Sequence, residues 1–353
     1  MFKNYEGKVR SGWKILGVTA VFFALTVVCS FIGGLILAGV TVARGFNPIT
    51  YLTTEDGLKL MGTFEKILMF AQELIMIFTP LIAWRFIMKR PLSNMGLGSI
   101  KKHGKDLTAG LLFGAVSMSI VFAVIVMTGS GVVASWTPQV STDTFVYLLL
   151  FILVGFAEEI YGRGFIMSAL RQTRNVPVVV IVSSIIFSLL HSMNPGINFV
   201  SYFNIFLVGL LFAYMYLKSG NIWMCIGYHI TWNYFQGNVF GFPVSGTNTQ
   251  GLISTTYPKE NAINGGVFGP EGGLVVTAIL IFSFLVVKRF YKNAEFDFLA
   301  GEPVVEMAGV EMPDVVLSDA ENFTIEKPAT DTSMKAENKR AAGAHETEEI
   351  YSE

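Results

Sequence analysis

Apolar residues run in long stretches broken by short polar intervals over the first 290 positions. Eight stretches span or nearly span a bilayer: about 14–43, 62–86, 107–134, 145–170, 176–192, 198–217, 221–236 and 273–288. A transmembrane helix needs about 20 predominantly apolar residues. The fifth and seventh stretches are shorter, and short helices carrying polar groups are tolerated where other helices cover them. The pattern predicts an all-α, polytopic membrane bundle of about eight helices. The interval 237–272, rich in Gly, Asn and Thr, reads as an irregular outer loop. Beyond about 295 the helical periodicity ends and Glu, Ala, Thr and Ser take over, which predicts a disordered tail. The chain thus divides into an N-terminal segment 1–13, a transmembrane domain 14–290 and a tail 291–353. No internal repeat is visible.

Composition agrees. Hydrophobic residues make up 52% of the chain and charged residues 14%. A soluble domain carries about a quarter charged residues, so an ordinary cytosolic enzyme, a nucleic-acid binder and a disordered protein are excluded. The net charge of −1 conceals a division. Residues 291–353 hold 15 acidic and 5 basic side chains, a net of −10, which leaves +9 for the first 290 residues. The two cysteines, Cys29 and Cys225, lie in apolar runs and provide no disulfide framework or metal cluster. The first apolar stretch exceeds the roughly 7–15 residues of a signal h-region and reads as an uncleaved helix.

Lysine and arginine set the orientation. They crowd the N-terminus (Lys3, Lys8, Arg10, Lys14), the loop after the second stretch (Lys89 to Lys105), the turn after the fourth (Arg171, Arg174), Lys218, and the end of the eighth (Lys288, Arg289, Lys292). The alternate loops carry Arg44, Lys59 and Lys259. With eight spans every basic loop falls on one side, so both termini are expected to be cytoplasmic. The basic loop at 89–105 reads as a contact for anionic lipid headgroups.

A charge at the bilayer centre costs about 2.5–3.5 kcal/mol on insertion scales, so the exceptions carry information. The fourth stretch holds Glu158, Glu159 and Arg163. Glu159 and Arg163 stand four apart, share a helix face and can pair. Glu158 points about 100° away, given about 3.6 residues per turn, and has no partner on its own helix. The fifth stretch ends at His191, and the seventh holds His229 and, four later, Asn233. Pairing the fourth and fifth helices about Thr173 sets residue 191 opposite about 155, near Glu158. A carboxylate beside an imidazole can deprotonate a water. A second His and an Asn amide can stabilise an oxyanion. Glu158, His191 and His229 are equally a donor set for a divalent metal such as zinc, and residue type alone does not separate the two. Glu73, mid-span, could pair with Arg163 or shape a cavity. Cys225 precedes His229 by four and reads as a buried thiol rather than a nucleophile.

At these residues the chain resembles the CPBP group, the type II CAAX prenyl proteases and their bacterial relatives linked to bacteriocin processing and immunity (the Abi group). The shared pattern is Glu158-Glu159-x-x-x-Arg163, Phe187-x-x-x-His191 and His229-x-x-x-Asn233, in order and in hydrophobic context, with a core at about 145–240. Arg90-Pro-Leu-Ser-Asn-Met-Gly-Leu also looks like an upstream element of many bacterial members. The resemblance implies an intramembrane peptidase in which Glu158 and His191 activate water while His229 and Asn233 stabilise the oxyanion. It leaves the metallo- or glutamate-type mechanism open. It further implies a site open toward the cytoplasm, a peptide or membrane-protein substrate and a bacterial plasma membrane. The rival readings are a non-catalytic bacteriocin self-immunity or scaffold protein on the same fold, and a proton-coupled carrier. The carrier would call for inverted repeats.

Overall fold

The computed structural model describes residues 2–4, 7–292 and 296–300. Among these, eight helices of eleven or more residues follow in order: α1 (Ser11–Ala43), α2 (Glu55–Ile82), α3 (Ile100–Met127), α4 (Thr142–Glu159), α5 (Val176–Leu190), α6 (Phe199–Ser219), α7 (Trp223–Asn233) and α8 (Leu274–Phe290). Each occupies one apolar stretch. Five are long and apolar enough to cross a membrane: α1, α2 continued to Ile87, α3 with the turn from Leu92, α4 continued to Thr173, and α6. The others, α5, α7 and α8, have 15, 11 and 17 residues. On α1, Val27, Phe31 and Leu35 are more than half exposed, the surface that lipid covers. The chain is a multi-pass membrane protein.

Polar residues start and stop these helices. The side chains of Thr54, Asn175 and Asn198 accept backbone N–H groups of Gly57, Val178 and Ser201 at the first turns of α2, α5 and α6, using donors that helix geometry leaves unpaired. Gly220, at φ 70°, ends α6 in the left-handed conformation. The third stretch is displaced from its expected limits. Its helix ends at Met127, and Val132–Ser135 forms a strand, β1, paired antiparallel with β2 (Ser254–Thr256). Val132 and Val133 continue the apolar run, but Gly129 at φ 69° turns the chain out of the helix. The interval 237–272 is otherwise irregular, as expected.

The helix ends gather on two faces. On the basic face, the Ser11 hydroxyl donates to the Ala169 carbonyl (2.7 Å), Trp223 Nε1 to Gly98 O (2.9 Å) and Tyr291 Oη to Asp106 (2.6 Å). Phe298 is buried there, with the Arg171 guanidinium 4.2 Å from its ring centre. The packed domain therefore extends to about 300, beyond the expected boundary at 290. The rest of the expected disordered tail lies outside the described residues. On the opposite face, Gln139 N donates to Leu252 O (2.7 Å) and Asn264 Nδ2 to Ser130 O (2.8 Å).

Helices α3 and α7 meet backbone to backbone. A Cβ at Gly110 or Gly114 would collide with the Met224 and Tyr228 carbonyls, and one at Gly227 with the Leu107 carbonyl. Small residues permit this approach in membrane bundles, and it seats α7, the helix that carries His229. Overpacking costs about 1–3 kcal/mol. Gly114→Val should therefore lower the melting temperature of the detergent-solubilised protein. Gly104→Ala, where an added Cβ meets nothing within 4 Å, should not lower it.

Candidate active site

Glu159 is the deepest polar group of the site. It is 0% exposed, and Arg163, one turn on, is 2% exposed. Arg163 Nη1 donates to Glu159 Oε1 at 2.9 Å, and Nη2 donates to the Gly209 carbonyl at 3.3 Å. The guanidinium also lies 4.1 Å from the Phe187 ring centre and 4.9 Å from that of Phe212, within cation–π range. The pair thus ties α4 to α5 and α6. The expected Glu159–Arg163 pairing is present, and Glu73 takes no part in it.

His229 Nδ1 lies 3.0 Å from the same Glu159 oxygen. An ionised carboxylate only accepts, so the ring nitrogen is assigned as the donor. His191, at the C-terminal cap of α5, places Nδ1 3.0 Å from the Phe187 carbonyl, again an acceptor. Both rings are therefore assigned a proton on Nδ1, leaving a lone pair on Nε2. These two lone pairs converge on one atom. Glu158 Oε2 lies 3.7 Å from His191 Nε2 and 3.8 Å from His229 Nε2, too far for direct hydrogen bonds. It is buried and takes no hydrogen bond from the protein. Asn233, one turn beyond His229, is buried and lines the same cavity. Directly after Glu159 and after Asn233 the helices widen into π-helical turns, Ile160–Met167 and Tyr234–Val239. Such turns recur at functional sites, and no residue pattern in the sequence announced them.

The cavity has a volume of about 400 Å³. Glu73 lines it, with Oε2 buried and unpaired. So does Glu271, which sequence reasoning missed because it sits in a Gly-rich loop without periodicity. Glu271 Oε2 accepts the Ser245 backbone N–H (2.6 Å) and hydroxyl (2.8 Å). Cys225 is turned away, its thiol donating to the Phe212 carbonyl at 3.3 Å. A site open toward the cytoplasm is the expectation, yet among the described residues the basic loops contribute no side chain to the cavity wall. The wall runs through Tyr147, Asn194, Ser245 and Thr249 to the opposite face. On the basic side Met95, Phe165, Met167, Tyr216 and Ile222 are 0% exposed and close the bundle.

The donor chemistry of Glu158, His191 and His229 suits zinc, but the spacing does not. Their 3.7 and 3.8 Å separations exceed the about 3.4 Å edge of a tetrahedral site with ligands near 2.1 Å. Among the described residues, no group of three or more His, Cys, Asp or Glu is arranged to hold a metal ion.

Breaking a buried pair from one side costs about 3–5 kcal/mol, because a lone charge remains. Arg163→Met should sharply reduce the folded yield and melting temperature. Glu159→Gln combined with Arg163→Met should recover much of the loss. Equal destabilisation of the single and double variants would contradict the pairing.

Residues 138–235 match the family model described as Type II CAAX prenyl endopeptidase Rce1-like. No curated protein matches the chain. The matched segment contains Glu158, Glu159, Arg163, His191, His229 and Asn233, so residues 138–235 are similar to the type II CAAX prenyl endopeptidases, a likeness that supports a CPBP-type intramembrane protease.

Proposed function

We propose that the chain hydrolyses a peptide bond within the membrane by a water activated between Glu158, His191 and His229. The observation that carries this reading is the convergence of His191 Nε2 and His229 Nε2 on Glu158 Oε2, at 3.7 and 3.8 Å, three acceptors once each ring carries its proton on Nδ1. Such a set calls for a donor. Water has two hydrogens to give, and holding it against a carboxylate and imidazoles raises its nucleophilicity. The water oxygen attacks the carbonyl carbon and its proton passes to Glu158. Asn233 donates to the developing oxyanion, while the water's second hydrogen is held by an imidazole Nε2 and stays on the attacking oxygen. Glu158 returns the proton to the leaving nitrogen as the C–N bond breaks. Glu159 and Arg163 act through His229, holding its ring in one tautomer.

Substrate chemistry is set by the walls. Glu73, Glu158 and Glu271 line the cavity, whereas no Lys or Arg is among its described lining. A substrate's carboxyl-terminus would meet carboxylates without a cationic anchor, which favours an internal bond of a peptide or membrane protein. The lysine and arginine distribution supports two cytoplasmic termini. We read the host membrane as a bacterial plasma membrane on the upstream Arg90–Leu97 element.

The test compares new protein termini by mass spectrometry in cells carrying wild type, Glu158→Gln or a deletion. Loss of a general base costs about 10²–10⁴ in rate. Termini made by wild type should vanish with Glu158→Gln while the variant stays folded in the membrane, and metal chelation should leave the purified protein's cleavage unchanged. A Glu158→Gln profile equal to wild type, with both differing from the deletion, would instead support the non-catalytic immunity or scaffold role. Loss of cleavage on chelation, restored by zinc, would assign the three donors to a metal.

A further inference from the structure

We infer that the cavity takes polypeptide segments standing on the non-cytoplasmic side of the membrane. This rests on the proposed peptidase activity and adds the side from which substrate arrives.

Two independent features locate that side. The first is charge. Of the chain's 25 Lys and Arg residues, sixteen sit at one face: four between Lys3 and Lys14, six between Arg85 and Lys105, then Arg171, Arg174, Lys218, Lys288, Arg289 and Lys292. The hydrogen bonds from Ser11, Trp223 and Tyr291 join these helix ends into that one face. Arg44, Lys59, Lys66 and Lys259 belong to the other end, where Lys66 pairs with Asp143 at the start of α4 (2.6 Å). An excess of cations marks the cytoplasmic side.

The second is access. From Glu158 toward the basic face the bundle is shut by residues of zero exposure. Behind them, Arg171 donates to the Asn94 carbonyl and to the Tyr216 hydroxyl, closing the ends of α4 and α6 on the loop before α3. Toward the other face the cavity continues to the turn at Val244–Thr249. That turn is fixed by Glu271 on Ser245 and by Asn194 Nδ2 on the Ser245 carbonyl (3.0 Å). Ser245 holds a left-handed φ of 46°, a conformation sustained only where surrounding bonds impose it. A built rim therefore stands at the non-cytoplasmic end of the cavity, and a packed plug at the cytoplasmic end. Water and an extended chain reach Glu158 from the rim. The substrate class is the exported peptide, or the outward-facing segment of a membrane protein.

The test uses the full chain with Cys29→Ala and Cys225→Ala, carrying either Thr247→Cys at the rim or Lys102→Cys on the basic face. Sealed right-side-out and inverted vesicles are treated with a membrane-impermeant maleimide. Labelling of Thr247→Cys in right-side-out vesicles, and of Lys102→Cys in inverted ones, is the expected result. The reverse pattern, or Thr247→Cys labelled from the Lys102 side, overturns the proposal. In parallel, termini that depend on Glu158 should map to non-cytoplasmic segments, and cytoplasmic cut sites would overturn the proposal. Absence of any such termini would overturn the peptidase reading and with it the substrate class. The labelling, which needs no catalysis, reports the face separately.

Discussion

A single carboxylate with two partners holds the site together. Glu159 is fully buried and one of its oxygens meets both Arg163 and His229. In a low-dielectric interior neither the acid nor the guanidinium is tolerable alone. The pair is satisfied only while α4 faces α7, and while the Gly209 carbonyl and the rings of Phe187 and Phe212 surround the guanidinium. Four helices are placed by that requirement. The imidazole of His229 is oriented as a consequence, which leaves its other nitrogen directed at Glu158.

Close packing elsewhere serves the same geometry. The glycine contacts of α3 and α7 bring two backbones together without side chains between them, fixing α7 against a helix that contributes little to the cavity itself. The π-helical turns after Glu159 and Asn233 shift the register of the residues beyond them. The first carries Arg163 and the aromatic plug, and the second leads into the rim loop. A closed lower half and an accessible upper half thus arise from the same two helices.

Much of this was legible in the residues. Charged and imidazole side chains inside apolar runs are costly, so Glu158, Glu159, Arg163, His191, His229 and Asn233 stood out, and helical spacing paired Glu159 with Arg163 correctly. Glu73 was visible as a stray carboxylate, though its setting was not. The direction of access was not legible, because no residue pattern says which end of a bundle is plugged. That depends on Met95, Phe165 and Tyr216 meeting from three segments. Glu271 was hidden in a loop with no period to read. Val132–Ser135 extended an apolar run, and only its pairing with Ser254–Thr256 distinguishes strand from helix. Phe298 lay in an acidic stretch whose composition pointed away from packing.

Two bare Nε2 atoms facing Glu158 are the centre of the mechanism, and their state is measurable without a substrate. The chain has four histidines, so nitrogen-15 NMR of histidine-labelled protein is tractable, with His191→Ala and His229→Ala spectra for assignment. At mildly alkaline pH, His191 and His229 should both carry their proton on Nδ1, with Nε2 unprotonated and shifted by Glu158→Gln. A proton on Nε2 with a bare Nδ1 at His229 would contradict the mechanism, because Glu159 would then keep only Arg163 as a donor and Glu158 would face a proton instead of a lone pair.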